Sequence, residues 1–293
     1  MGGIAFERVK DSCAHAASGA SRSALNLEPC SLGDHSGPGW SLTVLDFGGG
    51  AVEARAVWCD SSRSQRSPTV RTSEAGSPPE SSPERLLRNV MRSRRNLRHR
   101  VLALGADRMI TLTKRGKFES LDDAWSAFAR FNRICSKFYG PKWAYVCVPE
   151  MHADGTYHLH LAVRGRYWVG LLRKFWFKAL GGVGNERGED TPGNIHISEP
   201  RHRGRGGRRR IAGYMAKYLG KDLSQGFSGR RAFATSGRLA PRQVTRLRVP
   251  LTLGSCGAYE LLTRLRSLYP GLTFRSRNWN VGTVAGITFW TDV

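Results

Sequence analysis

Apolar residues recur at helical spacing between positions 120 and 140: Ala124, Trp125, Phe128, Phe131, Ile134 and Cys135 keep to one face of a helix. Ser120 suits the N-cap, Asp122 and Asp123 the first turn, and Gly140 the stop. Upstream, the β-branched run RMITLTKRG (108–116) predicts a strand ending at Gly116, and PERLLRNVMRSRRNLRHRVLAL (83–104) predicts a basic helix. Downstream, WAYVCVPE (143–150) and TYHLHLAVRG (156–165) predict two strands separated by a short turn. VGLLRKFWFKALGG (169–182) predicts a helix, GGVGNERGEDTPGN (181–194) a loop, IHISEP (195–200) a short strand and IAGYMAKYLGKDL (211–223) a helix. Beyond it the pattern is weaker, with a strand near 246–252, a helix near 257–268 and strands near 272–276 and 284–290. This order of strands, hairpin and interleaved helices predicts an α+β fold on an antiparallel sheet.

The first 82 residues read differently. They are rich in Gly, Ser and Pro, with GGG at 48–50 and SEAGSPPESSPE at 73–84, and short apolar pieces (SLTVLDF, AVEARAVW) show no sustained period. Low complexity of this kind predicts disorder. Met91 opens the basic stretch MRSRRNLRHR and offers an alternative start of translation. Three regions are therefore expected: a disordered 1–82, a catalytic 83–235 and a basic C-terminal extension, 236–293.

Charge sharpens the picture. Residues 1–80 hold 7 Lys and Arg against 9 Asp and Glu, whereas residues 81–293 hold 39 against 14. A segment so basic points first to nucleic acid, with an anionic membrane surface as the alternative. No apolar run reaches the ~20 residues of a membrane helix, which excludes an integral helical membrane protein. The N-terminus also lacks the apolar core of a secretory signal. Six scattered Cys with no CxxC pair predict neither a zinc ribbon nor a disulfide framework, and fit a reduced cytoplasmic compartment.

Two motifs carry chemistry. In a strand, residues two apart share a face, so His158 and His160 project together. A three-residue turn at Ala153-Asp154-Gly155, with Gly155 left-handed, pairs Glu150 with His158 and brings a carboxylate to the same face. Two imidazoles and one carboxylate suit Mg²⁺, Mn²⁺ or a similar divalent ion; a merely exposed polar face is the plainer alternative. His152 shares this parity, either as a substitute ligand or as a solvated turn residue. In the last helix of the catalytic region, Tyr214, Lys217, Tyr218 and Lys221 form one stripe. A tyrosine hydroxyl, with its usual pKa of ~10, becomes a nucleophile only beside a cation or a polarised electrophile. Lys217 and Lys221 are placed to supply that charge or to hold a phosphate. The alternative is an amphipathic helix with core tyrosines and snorkelling lysines.

Three segments in order, RMITLTK (108–114), YHLHLAV (157–163) and YMAKYLGK (214–221), resemble the motifs of the HUH endonucleases, specifically the rolling-circle replication initiators (Rep proteins) of plasmids and bacteriophages. The resemblance covers about residues 90–225. It implies a five-stranded antiparallel sheet, RRM-like, carrying a metal face with the tyrosine helix packed over it. It implies nicking of one DNA strand at an origin by a tyrosine, leaving a 5′-phosphotyrosine and a free 3′-OH. It places the metal on Glu150, His158 and His160, the nucleophile on Tyr214 with Tyr218 as a second, and DNA contacts on the first motif (Thr111, Thr113, Lys114). The chain has no GxxxxGK[ST], so no fused helicase is expected, and a host helicase and DNA polymerase become partners alongside single-stranded origin DNA. Because the tyrosines follow the histidines, an initiator or a single-strand transposase fits better than a relaxase. A non-catalytic single-strand binder on the same fold would leave the tyrosines and histidines without a role.

The block RHRGRGGRRR (201–210) reads as a flexible basic loop, with Arg201, Arg203, Arg205, Arg208, Arg209 and Arg210 set to neutralise phosphates. The basic helix at 92–100 is either a second backbone-contact candidate or a solvated face. Trp168, Trp176 and Phe177 are candidates either for stacking on single-stranded bases or for core positions.

Overall fold

A computed structural model describes residues 38–59, 83–182, 191–198, 207–222, 232–250, 257–281 and 284–291. All lie in the unit His35–Val293. Two five-stranded antiparallel sheets and five helices make the α+β fold expected from the sequence.

The first sheet is built from β3 (Arg108–Lys114), β4 (Tyr145–Met151), β5 (Tyr157–Val163), β6 (Gly193–Ser198) and β7 (Ala234–Thr235), in the order β6-β3-β5-β4-β7. Strand alternation gives it two faces. Ile110, Leu112, Cys147, Leu159, Leu161 and Ile195 point to one side. There α2 (Leu121–Tyr139) and α3 (Val169–Ala179) cover them with Phe128, Phe131, Leu172 and Trp176. Ser120 caps α2 as its sequence predicts, its hydroxyl accepting from the Asp123 amide at 3.2 Å, and Gly140 ends the helix at φ 56°. Met109, Val146, Val148 and Ala162 point to the other side. Here α1 (Pro83–Leu104) and α4 (Gly207–Asp222) pack as a pair, contributing Leu97, Val101, Met215 and Leu219. Among the described residues no helix is long and apolar enough to cross a membrane.

The second sheet corrects the expected domain scheme. β1 (Gly39–Asp46) and β2 (Val52–Cys59) come from the segment expected to be disordered. They pair with β8 (Gln243–Pro250), β9 (Phe274–Val281) and β10 (Val284–Thr291) in the order β8-β1-β2-β10-β9. The supposed N-terminal tail and C-terminal extension thus build one layer together. Its core is Leu42, Val44, Ala54, Ala56, Ile287 and Phe289, covered by Leu261 and Leu265 of α5 (Gly257–Leu268). The GGG at 48–50 is the β1–β2 turn. Its three φ angles, 81°, 61° and 79°, are all left-handed, which only glycine adopts without strain. Asp46 Oδ1 closes the turn by accepting from the Gly48 amide at 2.7 Å.

Buried Glu53 ties this sheet to the helix pair. Its carboxylate accepts from Arg98 at 2.6 Å and from Arg209 at 3.1 Å, and meets His99 at 3.1 Å. Burial alone would raise its pKa; the His99 hydrogen bond and the Arg98 charge outweigh that and bring it from the ordinary 4.5 down to about 2. A depressed carboxylate stabilises the fold above its unfolded pKa, and that stability is lost as pH falls through the folded value. A shift of this size corresponds to about 3 kcal/mol. In urea titrations Glu53→Gln is expected to be less stable than wild type at neutral pH. The gap should close between pH 4.5 and 2; a gap indifferent to pH would refute the role given to this carboxylate.

Candidate active site

The hairpin forms as its sequence predicts. Glu150 pairs with His158 across the β4–β5 ladder. The His152 amide donates to the Thr156 carbonyl at 2.9 Å, which leaves a three-residue loop, and Gly155 takes the left-handed φ of 79°. Asp154 Oδ1 accepts from the Thr156 amide at 2.9 Å and fixes the turn.

On the face beneath α4, Glu150 and His160 are both buried, with 2.8 Å between His160 Nε2 and Glu150 Oε2. His160 Nδ1 lies 3.1 Å from the Thr111 hydroxyl on β3, the strand on its other side. Both ring nitrogens are therefore engaged, which fixes the ring plane. A threonine hydroxyl donates or accepts, so Thr111 can serve either tautomer of His160. His158 is half-buried and lies next to His152, ring centroids 4.0 Å apart. His152 in turn brings Nε2 to 3.4 Å from Glu150 Oε2. Burial, aided by the neighbouring histidines, holds His158 and His160 below the ordinary histidine pKa, against the opposing pull of Glu150. Their imidazoles are neutral at neutral pH, the form in which a ring nitrogen can ligate.

The tyrosines arrive from α4. Tyr218 is buried and stacks on His160, with centroids 4.5 Å apart and planes 4° from parallel. Tyr214, one turn earlier, is 44% exposed and stands edge-on, 6.3 Å from His160 and 4.8 Å from Tyr218. Burial, the hydrogen bond with Tyr214 and the Glu150 charge all push Tyr218 well above the usual tyrosine pKa. Two segments some fifty residues apart in sequence thus meet at one imidazole.

Residues 107–223 match the family of replication-associated proteins described as ORF2/G2P. The matched segment begins just before β3 and ends just after α4, so it contains the hairpin and the tyrosine helix. The resemblance to replication initiators holds at this level. No curated protein and no solved structure matches the chain.

The remaining predicted residues divide. Thr113 shares the Thr111 face and lies near the Asn194 carbonyl at 3.4 Å. Lys114 falls on the opposite parity, its ammonium 5.3 Å from the Phe118 ring centroid, and so leaves the histidine face. Lys217 is exposed on α4, while the Lys221 side chain lies outside the described residues, as do Arg201, Arg203 and Arg205. The block before the tyrosines is not all loop, because α4 begins at Gly207. Arg208 donates to the Gly48 carbonyl at 3.1 Å and Arg209 binds Glu53, so both hold the second sheet, leaving Arg210 exposed. Arg94 and Arg98 of the basic helix are likewise engaged, with the Ala216 carbonyl and with Glu53. Trp176 is a core residue, fully buried; Phe177 is half-buried and Trp168 is 72% exposed.

His152 is the neighbour that the plainer sequence reading set aside, although it shares the parity of Glu150. Among the described residues no group of three His, Cys, Asp or Glu is gathered to hold a cation as it stands. The carboxylate is instead bound directly by imidazole nitrogens. The donor chemistry still fits a divalent ion: one carboxylate and two neutral imidazoles on one face, one imidazole oriented from behind by a hydroxyl.

Proposed function

We propose that this protein initiates rolling-circle replication by nicking single-stranded origin DNA through Tyr214. The observation that carries the reading is the meeting of Tyr214 and Tyr218 with His160, beside Glu150, in a segment of a replication-associated family. Glu150, His158 and His160 would hold a divalent cation, Mg²⁺ or Mn²⁺, with His152 as an adjacent donor. When bound, the cation neutralises charge on the scissile phosphate. Tyr214, the exposed tyrosine, attacks phosphorus; its O–P bond forms as the P–O3′ bond breaks, the phenolic proton is balanced by protonation of the departing 3′ oxygen, and the products are a 5′-phosphotyrosine and a 3′-OH primer. Buried Tyr218, stacked on His160, donates its hydroxyl to the Tyr214 oxygen. A hydrogen bond to the charged form helps that oxygen carry the negative charge of a nucleophile. Thr111, through Nδ1, would keep the His160 ring oriented with Nε2 available as a donor to such a cation. Lys217 and Lys221, on the same helix, offer charge to the flanking phosphates. Reversal of the same step rejoins strands. A host helicase and DNA polymerase complete the cycle.

The test is an SDS-resistant protein–DNA adduct on single-stranded origin DNA. It should form with Mg²⁺ or Mn²⁺, disappear with chelator, and fall at least about a hundredfold in Glu150→Gln. Adduct formation undiminished by chelator would refute the metal-assisted step. No adduct, from folded protein that binds the correct origin, would favour a non-catalytic binder.

A further inference from the structure

The face of the second sheet away from α5, covered by α1 and α4 at one end around Leu45, Glu53 and Trp290, carries a row of arginines. Register places Arg246 opposite Thr43, Thr43 opposite Arg55, Arg55 opposite Thr288, and Thr288 opposite Arg277. One straight line across all five strands therefore reads Arg-Thr-Arg-Thr-Arg. Neighbouring strands lie ~4.8 Å apart, so successive arginines start about 10 Å apart. Arg246 and Arg277 are exposed and Arg55 is half-buried. The described strands of this sheet contain two carboxylates. Asp46 closes the β1–β2 turn on the other parity, and Glu53, on the Arg55 face two residues away, is already bound by Arg98, His99 and Arg209. Burial and the like charge of Arg95 on α1 lower the Arg55 pKa, against the opposing charge of Glu53. No carboxylate stands within the line itself, and the neighbouring Glu53 is shared with Arg98, His99 and Arg209, so the exposed ends, Arg246 and Arg277, call for an external anion.

The aromatic residues on this face say which kind. Trp279 lies across Gly286, where a Cβ would come within 2.1 Å of its ring. Its indole nitrogen donates to Thr288 at 3.1 Å, and the Arg55 guanidinium covers its other side at 4.4 Å. Trp290 lies under Arg209, 5.4 Å from its ring centroid. Platforms for single strands leave aromatic faces open for bases. Here both faces of Trp279 are occupied, and what the surface offers is guanidinium and hydroxyl groups at regular spacing. Such groups contact backbone phosphates without reading bases.

We propose that this arginine row is a second DNA-binding surface that holds duplex DNA by its phosphates, separate from the tyrosine site. Duplex binding is measured against salt for the full chain, wild type, Arg246→Gln/Arg277→Gln and Arg55→Gln. A control double variant, Arg133→Gln/Lys137→Gln on the exposed side of α2, removes the same charge elsewhere. Arg246→Gln/Arg277→Gln should weaken duplex binding about tenfold and reduce the slope of log K against log salt by about 1.8, since each phosphate contact contributes ~0.9. The α2 control should move neither as far, and adduct formation on single-stranded origin DNA should be unchanged. Arg246 and Arg277 are exposed, so the thermal midpoint should stay put; Arg55→Gln is read only if its midpoint does too. Unchanged duplex affinity and slope overturn the proposal. An equal loss on single-stranded DNA, or an equal loss in the α2 control, overturns the assignment to duplex and to this row respectively.

Discussion

Tyr214→Phe should abolish the covalent adduct, while Tyr218→Phe should keep it and slow its formation about ten- to a hundredfold. Both variants lose one hydroxyl from the same helix turn, so composition and charge do not distinguish them. Position does. Tyr214 is 44% exposed and stands edge-on to His160, open to solvent at the histidine face. Tyr218 is sealed against His160, and its pKa is pushed far above the usual value by burial and by the Tyr214 hydrogen bond. A hydroxyl that resists ionisation is a poor nucleophile and a good hydrogen-bond donor. Removing a donor aimed at developing charge costs rate, whereas removing the nucleophile removes the reaction. The phenyl ring of Tyr218→Phe preserves the stack on His160, so a fold defect is not expected; matched thermal midpoints check this. The opposite pattern, with the adduct surviving in Tyr214→Phe and lost in Tyr218→Phe, would reverse the assignment. Survival in both single variants and loss in the double would mean that the tyrosines are interchangeable.

The candidate site was legible because its parts are local. Strand parity and a glycine turn within eleven residues, 150–160, put Glu150 and His158 in register, and helix parity put Tyr214 and Tyr218 on one stripe. The second sheet was not legible for the same reason inverted. β1 pairs with β2 across a short turn, but its other neighbour is β8, about two hundred residues away. Short strands with a mixed face carry little period, and their partners lie beyond any window in which a pattern can be counted. GGG looked like low complexity because the requirement it meets, three left-handed residues in a hairpin, appears only once the strands are paired. Arg208 and Arg209 misled in another way. Arginine beside a DNA site reads as a phosphate contact, yet these two face Gly48 and Glu53, residues that sequence gives no reason to place there.

That correction makes the alternative start at Met91 testable. A chain beginning there lacks β1, β2 and the first two turns of α1. β8 loses β1, its one partner in the sheet order, and β10 keeps only β9. Leu42, Val44, Val52, Ala54 and Ala56 leave the core, and Leu261, Leu265, Ile287 and Phe289 lose the surface that buries them. At ~1.5–3 kcal/mol for each larger side chain, and less for each alanine, the loss approaches the whole stability of a typical domain, about 5–15 kcal/mol. Unpaired strand edges beside exposed apolar surface then favour association. The 91–293 chain is therefore expected to aggregate, to show no cooperative unfolding of the second sheet and to form little adduct. Arg208 and Arg209 would no longer anchor the start of α4, so the tyrosine helix suffers although every motif residue is present. A chain beginning at Pro38 keeps both strands and should behave as the full protein does in unfolding and adduct assays. If the 91–293 chain is instead a soluble monomer with the full chain's thermal midpoint, the second sheet is dispensable to the fold, and the clamp through Glu53 does not position the tyrosines.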